Sequence, residues 1–344
     1  MVPFFMICFG MISAVGINSA MVAFVPIGLM IAKALQLDGL VGVAIVMMGT
    51  CSGWSAGAFS TATTGVAQSM VGLPFLSGMG LRFITMLLFY AFGCFMILQY
   101  CIKIRKDPTQ SLCYGMEASY SDDVELPEMT ARRAVGGIIF LIGFALVVYG
   151  AIKGWSMHTD IAGIFMVMGV LVGLVCKMTP NQIAAEFITG LRRMAFGVII
   201  VGFANAISIV MSEGQIIHTI IYHCSNMMMG LPKFLSVQAM YIFQIIVNFF
   251  IPSGSGQAAA TIPIVSPLGN VLGISQQIVV FCYNLGDGIT NQILPHSSTL
   301  MGSLGIAAIG YPTWTKFIWK WILGMLLIGV VMLEIALFIS WGPF

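Results

Sequence analysis

The sequence predicts an all-α polytopic membrane protein made of two inverted repeats, each with a re-entrant hairpin and a broken transmembrane helix. Three observations lead there. Hydrophobic residues make up 59% and charged residues 8%, against about 25% charged in soluble domains, and the mean hydropathy is +1.01. The apolar runs reach about 20 residues, the length of a membrane helix, without the alternation of a membrane barrel. Polar, glycine- and proline-containing knots interrupt those runs, and they occur twice.

The two sharpest knots lie between Phe249 and Gly305: Pro252-Ser-Gly-Ser-Gly-Gln257 and Leu285 to Ser298. Polar backbone at membrane depth survives only inside protein or along a cavity. Interrupted hydrophobic segments are therefore pointers to a transporter's binding site. Shifting the N-terminal region by about 237 positions puts Gly16-Ile-Asn-Ser19 on Ser253-Gly-Ser-Gly256 and Pro26 on Pro263. Gly49 falls on Gly286, Ser60-Thr61 on Ser297-Ser298 and Gly65 on Gly302, with no gap over roughly fifty residues.

Taken in order, residues 1–101 form the first repeat. Residues 1–13 and 20–35 are the arms of a hairpin with its tip at 16–19. A helix begins at 40, breaks through Thr50 to Thr64 and resumes to Val71. Residues 81–101 are a full span, and orientation puts Arg82 on the outer side. Residues 102–133 form a hydrophilic cytoplasmic linker, with Lys103, Arg105, Lys106, Arg132 and Arg133 at its ends, because basic residues beside spans mark the inner side. Its acidic middle, Asp122 to Glu128, reads as a solvated face.

Residues 134–344 form the second repeat. Spans at 134–152 and 161–178 flank an outer loop with Lys153, His158 and Asp160. Asn181 to Arg193 reads as an interfacial amphipathic helix and 195–211 as a separate span. Glu213 to Pro232 is a short outer helix or a tilted segment; His218 and His223 are five apart, off a common helix face, so no metal is assigned. The second hairpin has arms 233–251 and 258–273. The second broken helix has halves 276–286 and 299–310, and 314–342 is the last span. Counting crossings from the inner linker gives the two repeats opposite orientations.

Helix ends at mid-membrane expose N–H groups that attract carboxylates and C=O groups that coordinate hard cations. Asn18, Ser19, Ser60, Thr61, Ser253, Ser255, Gln257, His296, Ser297 and Ser298 are the expected substrate-binding residues. Asp287, Thr290, Asn291, Ser52 and Ser55 are the expected cation ligands. Thr63 and Thr64 share the knot, although single hydroxyls are common packing residues in membranes. Asp287 stands out as an intramembrane carboxylate in a Gly-Asp-Gly run, for which function is the default reading; a cap on a half-helix starting near Ile289 is compatible with it. Glu334 lies toward the end of the last span and reads as interfacial.

The eight cysteines show no metal or disulfide spacing, so no cofactor is expected beyond Na⁺ as a coupling ion. The net charge of +2 gives no reason to expect nucleic acid. The expected partners are the lipid bilayer and a small anionic substrate.

The runs FIPSGSGQAAATIPIVSPL and GDGITNQILPHSSTLMGSLG, with GVAQSMVGLPFLSGMGLR from Gly65 to Arg82, resemble the YfcC/DcuC-like C4-dicarboxylate carriers of the ion transporter superfamily. That resemblance implies secondary transport of anionic metabolites or amino acids, driven by Na⁺, H⁺ or exchange, in a bacterial inner membrane, on a scaffold that often dimerises. Such relatives often carry an acidic pair at the first tip, where this chain has Asn18-Ser19. Many have an Asn-Pro-Phe-like run at the first break, where it has Ser60-Thr61-Ala62.

A secondary carrier is the leading expectation. A membrane enzyme would need a nucleophile with a base, or a metal cluster, and the sequence displays neither. A non-transporting, channel-like or regulatory protein on a degenerate carrier scaffold is the alternative. The first repeat has 15 residues before Gly16, whereas the second has several spans before Pro252. On that comparison the sequence predicts that the first repeat's N-terminal scaffold helices are missing, with poor stability and no activity unless a partner supplies them.

Overall fold

The computed structural model describes residues 1–16, 18–114, 130–152, 160, 162–216, 219, 222–223 and 230–342. The acidic middle of the linker, Lys153, His158, His218 and Cys224 lie outside them. The described residues are helical or in turns, with no strand.

One compact unit comprises residues 1–116 and 197–344, the other residues 117–196. In the first, α1 (Val2–Ala14) leads through a 3₁₀ segment (Ser19–Phe24) to α2 (Val25–Ala34). Helix α3 (Gly39–Ser55) is followed by a connection at 56–60, a π-helical turn (Thr61–Gly65) and α4 (Val66–Met70), and α5 spans Met79–Lys106. Helices α6 (Ala131–Ile152), α7 (Ala162–Val175) and α8 (Pro180–Glu213) follow. Then come α9 (Lys233–Phe250), α10 (Gly254–Leu272), α11 (Gln276–Thr290), α12 (Ser298–Ala307) and α13 (Tyr311–Phe338).

Among the described residues, α5, α9 and α13 are long and apolar enough to cross a membrane. Helices α5 and α13 expose Leu87, Leu88, Phe95, Leu323, Leu327 and Val331. In water these ridges would be a liability; against lipid they are the expected surface.

The helix starts recur at one spacing. Asp38 caps α3 by accepting from Val41 N at 3.0 Å, and Ser275 caps α11 by accepting from Ile278 N at 3.4 Å. Ser60 accepts from Thr63 N at 3.2 Å and Ser297 from Leu300 N at 3.4 Å. Each pair is offset by the 237 positions that also separate Cys51 from Gly288, whose carbonyl accepts from the Cys51 thiol at 3.7 Å. Such caps satisfy N–H groups that a helix start leaves open. The packing is reciprocal as well. The 3₁₀ segment and α2 rest on α12, while α10 rests on α4 and the π turn.

Glycines set how close the helices come. A Cβ on Gly49 would sit 2.3 Å from Met6 O, and one on Gly53 2.0 Å from Gly10 O, so α1 and α3 touch backbone to backbone. At the matching place, a Cβ on Gly286 would sit 2.5 Å from Gln244 Cβ and 3.1 Å from Ile245 N, where α11 meets α9.

Several expected boundaries are corrected. The first break falls at 56–60, inside the expected Thr50–Thr64 stretch, and does not begin at Thr50 because α3 continues to Ser55. The second break is at 291–297, so Gly286-Asp287-Gly288 lies inside the last turns of α11 rather than in a break; its glycines serve contact, not interruption. Asp287 therefore does not cap a half-helix at Ile289. Residues 180–213 form one continuous helix, because Arg192 to Ala195 contains no helix breaker. Arg82, near the start of α5, is fully buried, 0% exposed. Glu334 accepts from Gln238 Nε2 of α9 at 2.6 Å.

In the second unit, α6 packs on α7, with Met168 pressed on Gly143. A groove of about 700 Å³ between these two helices is lined by apolar side chains and Asp160. It gathers no set of polar groups that would mark a substrate site.

Candidate functional site

The site is built around the C-terminal turns of α11. Asp287 is 1% exposed. Its Oδ2 accepts from Trp54 Nε1 of α3 at 3.4 Å, and its Oδ1 has no partner. The start of α10 closes on it, since a Cβ at Gly254 would lie 3.3 Å from Oδ2 and 2.7 Å from Thr63 Cγ2. Tyr283 donates to Gly254 O at 2.5 Å, fixing that approach. Three helix ends thus meet: the C-terminal ends of α3 and α11, with their open carbonyls, and the N-terminal end of α10.

Asn248, near the end of α9, holds the α11 terminus. Its Nδ2 lies 3.0 Å from Asp287 O, 2.7 Å from Thr290 Oγ1 and 3.1 Å from Asn291 Oδ1, while its own Oδ1 is buried without a partner. Two buried oxygens at this helix end, Asp287 Oδ1 and Asn248 Oδ1, thus have no protein partner, and oxygens are the ligands that a hard cation takes. Asn248→Ala should cost roughly 1–3 kcal/mol, because it strands buried acceptors. A melting curve of the purified variant checks this, and an unchanged midpoint would show that the contacts carry no weight.

The other expected residues divide clearly. Thr290 and Asn291 join Asp287 through Asn248. Ser55 lies against Gly288 and its hydroxyl is 3.3 Å from the Cys51 thiol. Ser52 donates to Met48 O at 2.8 Å within its own helix. Ser60 and Ser297 are buried caps of their helices, and the exposed Ser253 caps α10. Gln257 donates to Gln244 O and Oε1 at 2.8 Å. Asn18 is half-buried with Oδ1 unpartnered, and His296 is half-buried, edge-on to Phe249 at 5.3 Å with Nε2 unpartnered. Ser19, Thr61, Ser255 and Ser298 are exposed. The first tip does reach the first break, since Gly16 lies against Thr61 and Ala62.

Sequence reasoning missed Trp54, Asn248 and Asn284. Asn248 left a signal: it is an amide four residues after Gln244 in the apolar run ending FQIIVNFF, and polar residues in such runs are costly unless used. Trp54 left none.

Comparisons with known proteins agree with this architecture. The chain is 30% identical over 342 residues to the Escherichia coli K12 protein named "Putative basic amino acid antiporter YfcC", covering 95% of this chain and 67% of that protein. It is 26% identical over 328 residues to an uncharacterized protein of Haemophilus influenzae Rd, covering 93% of this chain and 64% of the relative. It thus spans about two thirds of the length of these relatives. Its fold is similar to the crystal structure of the Alcanivorax borkumensis YdaH transporter, with a TM-score of 0.53 at 16% identity over 99% of this chain and 79% of that one. The model of the C4-dicarboxylate anaerobic carrier family, DcuC, matches residues 1–338, and the chain belongs to that family of membrane carriers.

Proposed function

We propose that this chain is a secondary active carrier of a small carboxylate-bearing metabolite, a C4-dicarboxylate or an amino acid, working by alternating access with a cation held at Asp287. The single observation behind this is the buried, half-unpartnered Asp287 at a junction of helix ends from both halves of the sequence. A carboxylate at that depth is retained only where its charge is used.

The helix starts and contacts that recur at 237 positions support two repeats related by inversion. The α1–α2 and α9–α10 pairs are then the re-entrant hairpins, and α3–α4 and α11–α12 the broken helices. Reciprocal packing of each hairpin on the other half's broken helix is what a two-fold relation requires. The family's dicarboxylates and the basic amino acids named for the E. coli relative are the substrate classes to test. Na⁺, H⁺ or exchange supplies the coupling, and a homodimer in the inner membrane is the working assembly.

A ligand-stabilisation screen of dicarboxylates and amino acids, with and without Na⁺, tests this reading. At least one carboxylate ligand should raise the melting temperature, and Na⁺ should change that rise. No stabilisation by any of them would contradict it.

A further inference from the structure

Arg82 is fully buried, yet no carboxylate pairs with it among the described residues. Its Nη1 donates to Asn284 Oδ1 at 2.8 Å. Its Nη2 reaches Gln277 O at 3.5 Å and Gln277 Oε1 at 3.4 Å, and Nε has no partner. Phe281 and Trp341 each present a ring 5.3 Å from the guanidinium carbon. The guanidinium is always charged and carries five donors. Arginine is almost never fully buried unless paired, and neutral acceptors with ring faces recover only part of its lost hydration.

Asn284, the partner of Arg82, sits on α11 three residues before Asp287. On a helix that spacing puts the two side chains on one face, about 5–6 Å apart at Cβ. So a buried arginine with no carboxylate partner among the described residues contacts a side chain one turn from the half-unpartnered, buried Asp287. Thr64 also donates to Asn284 Oδ1, at 3.1 Å. Gly57, at φ +62°, closes over the Asn284 amide, where a Cβ would fall 2.9 Å from Cγ. Gly57 belongs to the connection at 56–60, and its carbonyl accepts from Thr64 Oγ1 at 2.7 Å.

We infer that Arg82 and Asp287 are the two poles of one site, in which the Arg82–Asn284 pair binds the carboxylate of the transported molecule and Asp287 binds its compensating positive charge. This rests on the proposed role of Asp287. It adds the anion pole and a rule for ligand choice. A zwitterion or basic amino acid brings its own positive charge and satisfies both poles. A dicarboxylate satisfies Arg82 but faces Asp287 with a second negative charge, so it needs a sodium ion there.

The test measures binding of L-lysine and of succinate to the purified full chain by calorimetry, with and without NaCl. The variants are Arg82→Lys, which keeps the charge but loses the planar fork, and Asn284→Asp, which supplies Arg82 with an internal carboxylate. Wild type should bind L-lysine without sodium, and succinate only with it. Arg82→Lys should weaken both by about tenfold or more, leaving the stabilisation by sodium alone unchanged. Asn284→Asp should raise the melting temperature, because the buried charge is now paired, and should abolish binding of both. A purely structural Arg82 would give the same rise in melting temperature with binding intact. Binding within about twofold of wild type in whichever variants fold, or sodium-independent succinate binding by wild type, would overturn the inference. Wild type that binds neither probe in either condition would instead overturn the carrier reading on which it rests.

Discussion

Asp287→Asn should keep the protein folded and remove its cation response. The substituted amide is nearly the same shape and still accepts from Trp54. It removes an ionised group that is 1% exposed and has one oxygen without a partner. Burying an ion is costly, so the melting temperature should hold or rise. Function should move the other way. Losing a charged ligand weakens cation affinity by roughly 10- to 100-fold, given about 1.5–3 kcal/mol per charge-assisted contact. The measurement is uptake against Na⁺ and proton gradients beside a melting curve. Unchanged uptake with unchanged cation dependence would remove Asp287 from the mechanism.

Gly49→Ala and Gly286→Ala should each destabilise the fold, by about 1–3 kcal/mol for an added methyl with nowhere to go. A Cβ on Gly49 meets a backbone oxygen at 2.3 Å, and one on Gly286 meets backbone and Cβ atoms of α9 at 2.5 to 3.1 Å. Main chain cannot step aside as a side-chain tip can, so the helices must separate. Because the two positions match across the 237-residue offset, a similar loss in both is expected of repeated units. Melting midpoints of the two variants check it. Wild-type stability in either would mean that helix does not pack as described.

The membrane class and the 237-position recurrence of polar helix starts were legible in the sequence, because both rest on patterns that survive without side-chain detail. Ser60 and Ser297 were found as a matched pair, and both cap helices in the fold. The breaks were drawn too wide on their N-terminal sides for one reason. A glycine in an apolar run signals either interruption or close approach, and only the neighbouring helix decides which. Gly286 and Gly288 lie inside α11 because Gln244 and Ser55 need the space. Arg82 was placed on the outer side by counting crossings from the linker, and nothing local reveals the Asn284, Gln277 and aromatic partners that bury it. Asp287 was legible as a candidate, since a carboxylate amid apolar residues is expensive wherever the helix ends. Its companions Trp54 and Asn248 come from positions more than 200 and nearly 40 residues away; a local pattern can flag Asn248 as an amide in an apolar run, but not its pairing with Asp287.

The central claim is that two matched halves carry a carboxylate-bearing solute across a membrane past Asp287. Counterflow tests it most directly. The full chain is reconstituted in vesicles loaded with an excess of an unlabelled ligand found by stabilisation, and a trace of the same ligand, labelled, is added outside. A carrier exchanges one for the other, so label should accumulate transiently above its outside concentration, and Asp287→Asn should abolish the overshoot. Label that only equilibrates, as through a channel, or that never enters, would contradict the account.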